Sequence, residues 1–222
     1  MPSLHYRLNL AAGLRPGDPT LILAFDCSTA ACTAALFDED GALLDSRDEV
    51  IDRGHAERLV PMIEQMLGGR RPESILVGVG PGSFTGLRVA IAAAHGLAIG
   101  WDAALVGMPS LALLAASAPG EGPLVVAMAG GHGELFVQSF ARSPFAPFGE
   151  MANLPPVAAA ETHLEDFVVG SGAPALVAAR GGGKAILLLP SARFAMRLPP
   201  LLRSLPATPL YLRAPDARPK AA

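Results

Sequence analysis

A carboxylate followed by two hydroxyl side chains stands between two short apolar runs. Asp26, Ser28 and Thr29 come after LILAF and before CTAALF. In nucleotide-binding folds, a carboxylate and hydroxyls at a strand end can hold a Mg²⁺-bound phosphate. The same residue types also form Asx and Ser/Thr turns between strands. The pattern therefore leaves two interpretations open: a weak nucleotide site and a structural turn.

Glycines and other small residues punctuate residues 80–100, GPGSFTGLRVAIAAAHGLAIG. Glycine permits close backbone approach in the turn, and Ser83 is placed to cap the helix that follows. Two ridges of small residues on that helix would let another helix come unusually near. The first is Gly86, Ala90, Ala94 and Ala98, and the second is Ala92, Gly96 and Gly100; Leu87, Ile91 and Leu97 are left for the core of the chain. The ridges fit packing within the chain or against another chain, and the turn itself could attract an anion.

Other catalytic patterns are missing from the sequence. The five histidines include no pair four residues apart, and neither HExxH nor CxxC occurs, so we expect no metal site. The run of residues 82–86 does not match Gly-x-Ser-x-Gly, the pattern of a hydrolase nucleophile. We therefore predict no catalytic residue and no required cofactor.

Composition indicates a globular chain that works in a reducing compartment. Of 222 residues, 51% are hydrophobic and 17% charged, which suits a buried core. The net charge of −3 lacks the positive field of autonomous nucleic-acid binders. Two cysteines are too few for a disulfide-stapled secreted protein, and residues 1–19 lack the unbroken apolar core of a signal peptide. We expect a cytoplasmic protein that does not span a membrane.

The order of elements indicates mixed sheets covered by helices. The apolar runs before and after residues 26–29, together with ALLDSRDEV, predict three antiparallel strands, with a hairpin turn at Asp40-Gly41. An amphipathic helix over residues 55–67 follows, and Pro61 is expected to kink or shorten it unless it lies in the first turn. Strand and helix alternate from there to a helix that Ser110 would cap.

A second, smaller group of elements follows the connector APGEGP. LVVAMA and ELFVQSF predict paired strands around Gly130-Gly131, as if the opening of the first lobe were repeated. Beyond Ala141 the pattern weakens. HLEDFVVGSGA suggests a helix, a strand and a glycine turn, AILLLP a strand, and residues 192–205 a short helix interrupted at Pro199-Pro200.

The segment GPGSFTGLR resembles the TsaB (YeaZ) family, a bacterial partner protein in the formation of threonylcarbamoyladenosine in tRNA. The resemblance also includes Asp26-Cys27-Ser28-Thr29 at the family's opening Asp-x-Ser-Thr position, the helix that begins at His55, and MPSLALLA. The ending PLYLRAPDARP is similar to the family's C-terminal pattern. The likeness extends from about residue 20 to residue 219, densely in the first half and thinly over 142–206.

This resemblance implies an α/β, actin/Hsp70-like (RNase H-like) fold of two lobes, with mixed sheets flanked by helices and a reduced C-terminal lobe. We expect an extension over residues 1–19, an N-terminal lobe over 20–118, a smaller lobe over 119–210 and an extended tail over 211–222.

The resemblance also implies a non-catalytic subunit that supports the paralogue TsaD and, with the ATPase TsaE, serves the modification of tRNA. The chain would touch tRNA only indirectly and would form a homodimer when alone. The helices matching residues 55–67 and 84–99 would supply the contacts, which makes the small-residue ridge an interface. The expected interface residues are His55, Leu59, Met62, Gly82, Phe84, Gly86, Arg88, Ala90, Ala94 and Ala98.

One departure from the family bears on alternative functions. Where the family often has Asp-Ala-Arg before Gly-Glu, this chain reads AGGHGE over residues 129–134, without the carboxylate. An independent ATPase or small-molecule kinase, the main alternative, would then have Asp26 as its sole acid for Mg²⁺. A peptidase, another label used in this superfamily, would need metal ligands that the sequence does not offer. Arg213, Arg218 and Lys220 are candidates for direct tRNA contact, with a solvated basic tail as the simpler interpretation.

Overall fold

The structure, a computed structural model, describes residues 20–212. The extension predicted for residues 1–19 and the tail beyond residue 212, with Arg213, Arg218 and Lys220, lie outside these residues.

The first lobe is a five-stranded mixed sheet with two helices on one face. Strands β1 (Ile22–Asp26), β2 (Ala31–Phe37) and β3 (Leu43–Val50) form an antiparallel meander, and Gly41, with φ of 81°, makes the predicted hairpin turn. Strands β4 (Ser74–Gly78) and β5 (Ala104–Met108) run parallel to β1, in the order β3-β2-β1-β4-β5.

Helices α1 (His55–Leu67) and α2 (Phe84–Trp101) connect the strands of this sheet. Pro61 does not shorten α1, which continues to Leu67. By length and composition α2 could cross a membrane, and no second such helix occurs among residues 20–212. In this structure one side of α2 is buried against the first sheet, which is the arrangement of a helix in a protein core.

The second lobe repeats the strand order of the first. Strands β6 (Leu124–Ala129), β7 (Leu135–Arg142) and β8 (Phe145–Leu154) are antiparallel, and β9 (Phe167–Val169) and β10 (Lys184–Ile186) extend the sheet in parallel. The order is β8-β7-β6-β9-β10. With β6 to β10 matched in turn to β1 to β5, this is the order β3-β2-β1-β4-β5 of the first sheet. Two short helices, α4 (Pro156–Thr162) and α5 (Ala173–Arg180), connect its last three strands.

A buried layer joins the two sheets. Helix α3 (Ser110–Ser117) is buried at every position, and with the 3₁₀ helix Ala192–Arg197 it lies between the inner faces of both sheets. Strand alternation produces this layering. On β1, Ala24 faces the shared layer, whereas Leu23 and Phe25 face α1 and α2.

The last described residues return from the second lobe to the first. After the 3₁₀ helices Ala192–Arg197 and Pro200–Arg203, which are separated at the predicted break, Leu205 bonds with Gly107 on the edge of the first sheet. Residues 192–210, expected in the smaller lobe, therefore contact both lobes.

Candidate functional site

The centre of the candidate site is Asp26, at the end of β1. Its side chain is completely buried, and its carboxylate accepts hydrogen bonds from the Ser28 amide (2.7 Å), the Ser28 hydroxyl (2.6 Å) and the Ser110 hydroxyl (2.6 Å). Burial raises the pKa of Asp26, and the bonds from Ser110 and Ser28 act in the opposite direction. Three of the about four acceptor positions of the carboxylate are therefore occupied by donors of the chain itself.

Ser110 is a site residue whose role the sequence did not reveal. It was expected to be the cap of α3, but the cap position is Pro109 and Ser110 is the first helical residue. Its hydroxyl donates to Asp26 and accepts from the Gly80 amide at 3.1 Å. No local pattern could predict this contact, because 84 positions separate Ser110 from Asp26.

The glycine turn, residues 80–86, packs directly on the turn that follows β1. The Ser83 amide donates to the Ser28 carbonyl at 2.7 Å, and a Cβ on Gly86 would lie 1.9 Å from the Cys27 carbonyl oxygen. The Ser83 hydroxyl accepts from the Gly86 amide at 3.2 Å, which confirms Ser83 as the cap of α2. The glycines are thus required for contact between two turns.

The possible nucleotide residues Asp26, Ser28 and Thr29 form a structural turn. The Ser28 amide closes an Asx turn on Asp26, and the Ala31 amide donates to the Thr29 hydroxyl at 3.1 Å. Of the two interpretations left open by the sequence, this geometry is that of the turn. Nucleotide binding remains an untested prediction.

Two cysteine side chains lie beneath this turn. Cys27 and Cys32 are fully buried free thiols with their sulfurs 3.9 Å apart. The contact with Cys32, together with burial, raises the pKa of Cys27, and the contact with Cys27 lowers the pKa of Cys32. Among the described residues, no three His, Cys, Asp or Glu side chains are grouped to hold a metal ion.

The predicted interface residues divide into buried and exposed positions, and their role as an interface stays a prediction. The first small-residue ridge packs on the chain's own core, because that side of α2 faces β4 and α1. A partner could not reach these side chains in this conformation. The buried residues are His55, Leu59, Met62, Gly86, Ala90, Ala94 and Ala98.

The second ridge lies on the opposite, exposed side of α2. A Cβ on Gly96 or Gly100 would meet no atom within 4 Å, and Ile99 is 83% exposed. We call this surface the outer face of α2; it consists of Thr85, Arg88, Ala92, His95, Gly96, Ile99 and Gly100, all exposed. Val60 and Pro61 are exposed on the neighbouring helix α1. The small residues Ala92, Gly96 and Gly100 thus form an exposed strip, with Arg88 and His95 on the same face.

The remaining predicted residues lie at the N-terminal end of the outer face. Gly82 is half-buried, whereas Phe84 and Arg88 are exposed and contact Tyr211 of the returning segment. The Phe84 and Tyr211 ring centroids are 5.7 Å apart, and the Arg88 guanidinium lies 3.5 Å from the Phe84 centroid. His95, further along the helix, contacts the Ala207 carbonyl through Nε2 at 3.2 Å. The C-terminal segment therefore borders the outer face of α2.

Two sheets of identical strand order around one buried helix define the actin/Hsp70-like, RNase H-like class of two-lobed folds. Within that class, residues 48–150 match the family model described as TsaD, tRNA N6-adenosine threonylcarbamoyltransferase.

Comparison with individual proteins identifies the family. The crystal structure of a Pseudomonas aeruginosa protein described as similar to the peptidase YEAZ is 31% identical, with a TM-score of 0.75 over 87% of this chain and 100% of that one. YeaZ from Pseudomonas aeruginosa is 29% identical, with a TM-score of 0.74 and the same coverage. The chain therefore belongs to the TsaB (YeaZ) family, as its sequence motifs indicated.

The match to a curated member is confined to part of each protein. The tRNA threonylcarbamoyladenosine biosynthesis protein TsaB of Escherichia coli strain K12 is 36% identical over 102 residues. This alignment covers 44% of the present chain and 43% of the Escherichia coli protein, so it spans less than half of either one.

Proposed function

We propose that this protein is a non-catalytic subunit of the machinery that forms threonylcarbamoyladenosine in tRNA. The exposed strip of small residues on the outer face of α2 is the observation that carries the proposal. Small side chains let the backbones of two helices come close together, so the strip is suited to receiving a helix of another protein. TsaD is the proposed partner, with TsaE joining the assembly, and a second copy of this chain would use the face when TsaD is absent.

The geometry around Asp26 favours a non-catalytic subunit over a Mg²⁺-dependent enzyme. A carboxylate that binds Mg²⁺ must present a lone pair to the ion, whereas Asp26 is completely buried and already accepts three bonds from Ser28 and Ser110. At the corresponding turn of the second lobe, the end of β6 is Ala129 followed by Gly130. We therefore assign this network to holding α2 and α3 in place beneath the docking face.

The proposal is tested by placing a large charge on the outer face of α2. Ala92→Arg should abolish co-purification with TsaD, because Ala92 is exposed on the face and an arginine would hold the partner helix away. An arginine at Ala94 would not report on docking, because Ala94 is fully buried and the charged side chain would unfold the lobe.

Ala178→Arg is the matched control. Ala178 is an exposed alanine on α5 in the second lobe, so the same change there should leave assembly intact. Thermal melting of both variants checks that each remains folded. Unchanged co-purification of folded Ala92→Arg with TsaD would exclude this face as the docking surface.

A further inference from the structure

The cysteine pair is outside the proposed function, and its geometry suits a covalent modification. The ladder of β1 and β2 pairs Asp26 with Thr33, and one further step along it sets Cys27 opposite Cys32. Directly opposed residues of antiparallel strands have Cα atoms about 4.5–5.5 Å apart, within the range that a disulfide spans. The sulfurs lie 3.9 Å apart, with no other cysteine in the sequence to compete.

We propose that Cys27 and Cys32 are an oxidation site, at which a peroxide converts the two thiols to a reversible intramolecular disulfide. The bond would close a loop of only four residues, 28–31, at the turn that follows β1.

Each step of this oxidation balances. The Cys32 sulfur, whose pKa the Cys27 contact lowers, attacks one peroxide oxygen as the thiolate. The O–O bond breaks, Cys32 becomes a sulfenic acid, and the other oxygen takes up a proton and leaves as water. The Cys27 sulfur then attacks the sulfenic sulfur, the S–S bond forms, and the hydroxyl leaves with the Cys27 proton as a second water. The sulfur pair loses two electrons, and the peroxide gains them.

Burial controls when the reaction occurs. Both thiols are fully buried in the resting fold, so the peroxide reaches them during a local opening of the 28–31 turn. Because the second sulfur lies 3.9 Å from the first, it can capture the sulfenic acid before further oxidation.

The disulfide would act on a turn that seats both helices of the first lobe. The Ser28 carbonyl accepts from Ser83, the cap of α2, and the Ala30 carbonyl accepts from Ile51, in the loop before α1, at 2.9 Å. Drawing Cys27 and Cys32 together would stiffen the segment that carries both carbonyls.

The test uses the native full-length chain and hydrogen peroxide. Treated protein is alkylated in denaturant and digested, and circular dichroism before alkylation checks that it has stayed folded. We expect the intact mass to fall by two hydrogens, both alkylation sites to be lost, and a cross-linked peptide joining Cys27 to Cys32. Dithiothreitol should restore both sites.

Single-cysteine variants serve as controls, and other oxidation products would contradict the proposal. Cys27→Ala and Cys32→Ala each leave one thiol and should give no intramolecular cross-link. Two alkylatable thiols remaining in folded wild-type protein, under conditions that oxidise a small free thiol, would overturn the proposal. So would sulfinic acid on one cysteine, a disulfide between two copies, or a cross-link that appears only after unfolding.

Discussion

The two lobes have the same strand order and differ in what their first turn contains. In the first lobe, the turn after β1 holds a buried carboxylate hub, and helices of 13 and 18 residues cover the sheet. In the second lobe, the turn after β6 is Gly131–Gly133, and the corresponding helices have 7 and 8 residues. The same strand order is thus combined with a buried hydrogen-bond network around Asp26 in the first lobe and with shorter helices and no such carboxylate at the end of β6 in the second.

This difference assigns separate tasks to the lobes. The hub ties β1, the glycine turn and the start of α3 together, and so fixes the start of the long helix whose outer face is exposed. The second lobe contributes its inner sheet face to the shared core around α3. We therefore expect substitutions in the first-lobe hub to cost more than their counterparts in the second lobe.

The largest effect should come from removing the hub carboxylate. Asp26→Ala leaves three buried donors without an acceptor, each costing about 1–3 kcal/mol, so we expect a loss of about 4 kcal/mol in the free energy of unfolding. The comparison in the second lobe is Ser171→Ala, which removes the exposed bond from the amide of Ala129, the residue at the end of β6, and should cost under about 1 kcal/mol.

Urea denaturation of both variants measures this difference. Similar losses in Asp26→Ala and Ser171→Ala would show that the two lobes do not differ in the way proposed.

The next effect concerns the close contact between the two turns of the first lobe. Gly86→Ala would place a methyl group 1.9 Å from the rigid Cys27 carbonyl oxygen, and we expect a loss of about 3 kcal/mol. Gly172→Ala, at the start of α5, brings its Cβ to 2.6 Å from the end of the flexible Leu135 side chain and to 3.2 Å from backbone atoms of Ala127 and Ala129. It should therefore cost less than Gly86→Ala, about 1–2 kcal/mol.

The urea concentrations at the unfolding midpoints compare the stability losses of these two variants, provided that the dependence of the unfolding free energy on urea is the same in both. A larger loss in Gly172→Ala than in Gly86→Ala would contradict the assignment of the tight contact to the first lobe.

The sequence predicts the first lobe better than the second because the signals differ in length and clarity. The structure confirms α1 over residues 55–67 and the start of α2 after the Ser83 cap, whereas α2 continues to Trp101, beyond the expected end at residue 99. In the second lobe, Pro147 and Gly149 obscure the alternation of β8, and the short helices α4 and α5 have too few turns for a clear period. The expected helix near residue 163 is absent, and helix α4 ends one residue earlier.

The sequence alone could not show which side of α2 faces the core. The sequence contains two small-residue ridges on α2, and periodicity alone gives neither of them an inward direction. Packing in the folded chain determines which ridge is buried. Strand β4 and helix α1 cover the ridge of Ala90 and Ala94, whereas the ridge of Ala92 and Gly96 stays exposed. Contacts across long sequence separations, such as Ser110 to Asp26, likewise depend on the assembled fold.

Stability should depend on pH through the hub carboxylate. Since burial raises the pKa of Asp26 above its ordinary 3.8, the folded chain binds this proton more tightly than the unfolded chain. The free energy of unfolding should therefore fall as the pH rises from 3.8 to the raised value. Asp26→Asn should flatten this slope when unfolding is followed from about pH 3 to about pH 8.

The surface carboxylate Asp40 provides the comparison for this measurement. Asp40→Asn removes one exposed acid from the β2–β3 turn and should leave most of the slope in place. An unchanged slope in Asp26→Asn would mean that other groups govern the pH dependence.

The smallest effect on stability separates folding from docking on the outer face of α2. Gly96 lies mid-helix with no atom near its missing Cβ, so Gly96→Ala should raise the free energy of unfolding by about 0.5–1 kcal/mol through helix propensity. The same methyl group would push a docked helix outward and weaken co-purification with TsaD. Urea denaturation and pull-down of one preparation measure both quantities. If this face has no docking role, Gly96→Ala should raise the free energy of unfolding and leave co-purification with TsaD unchanged. A higher free energy of unfolding together with weaker co-purification is the result that links this face to a partner.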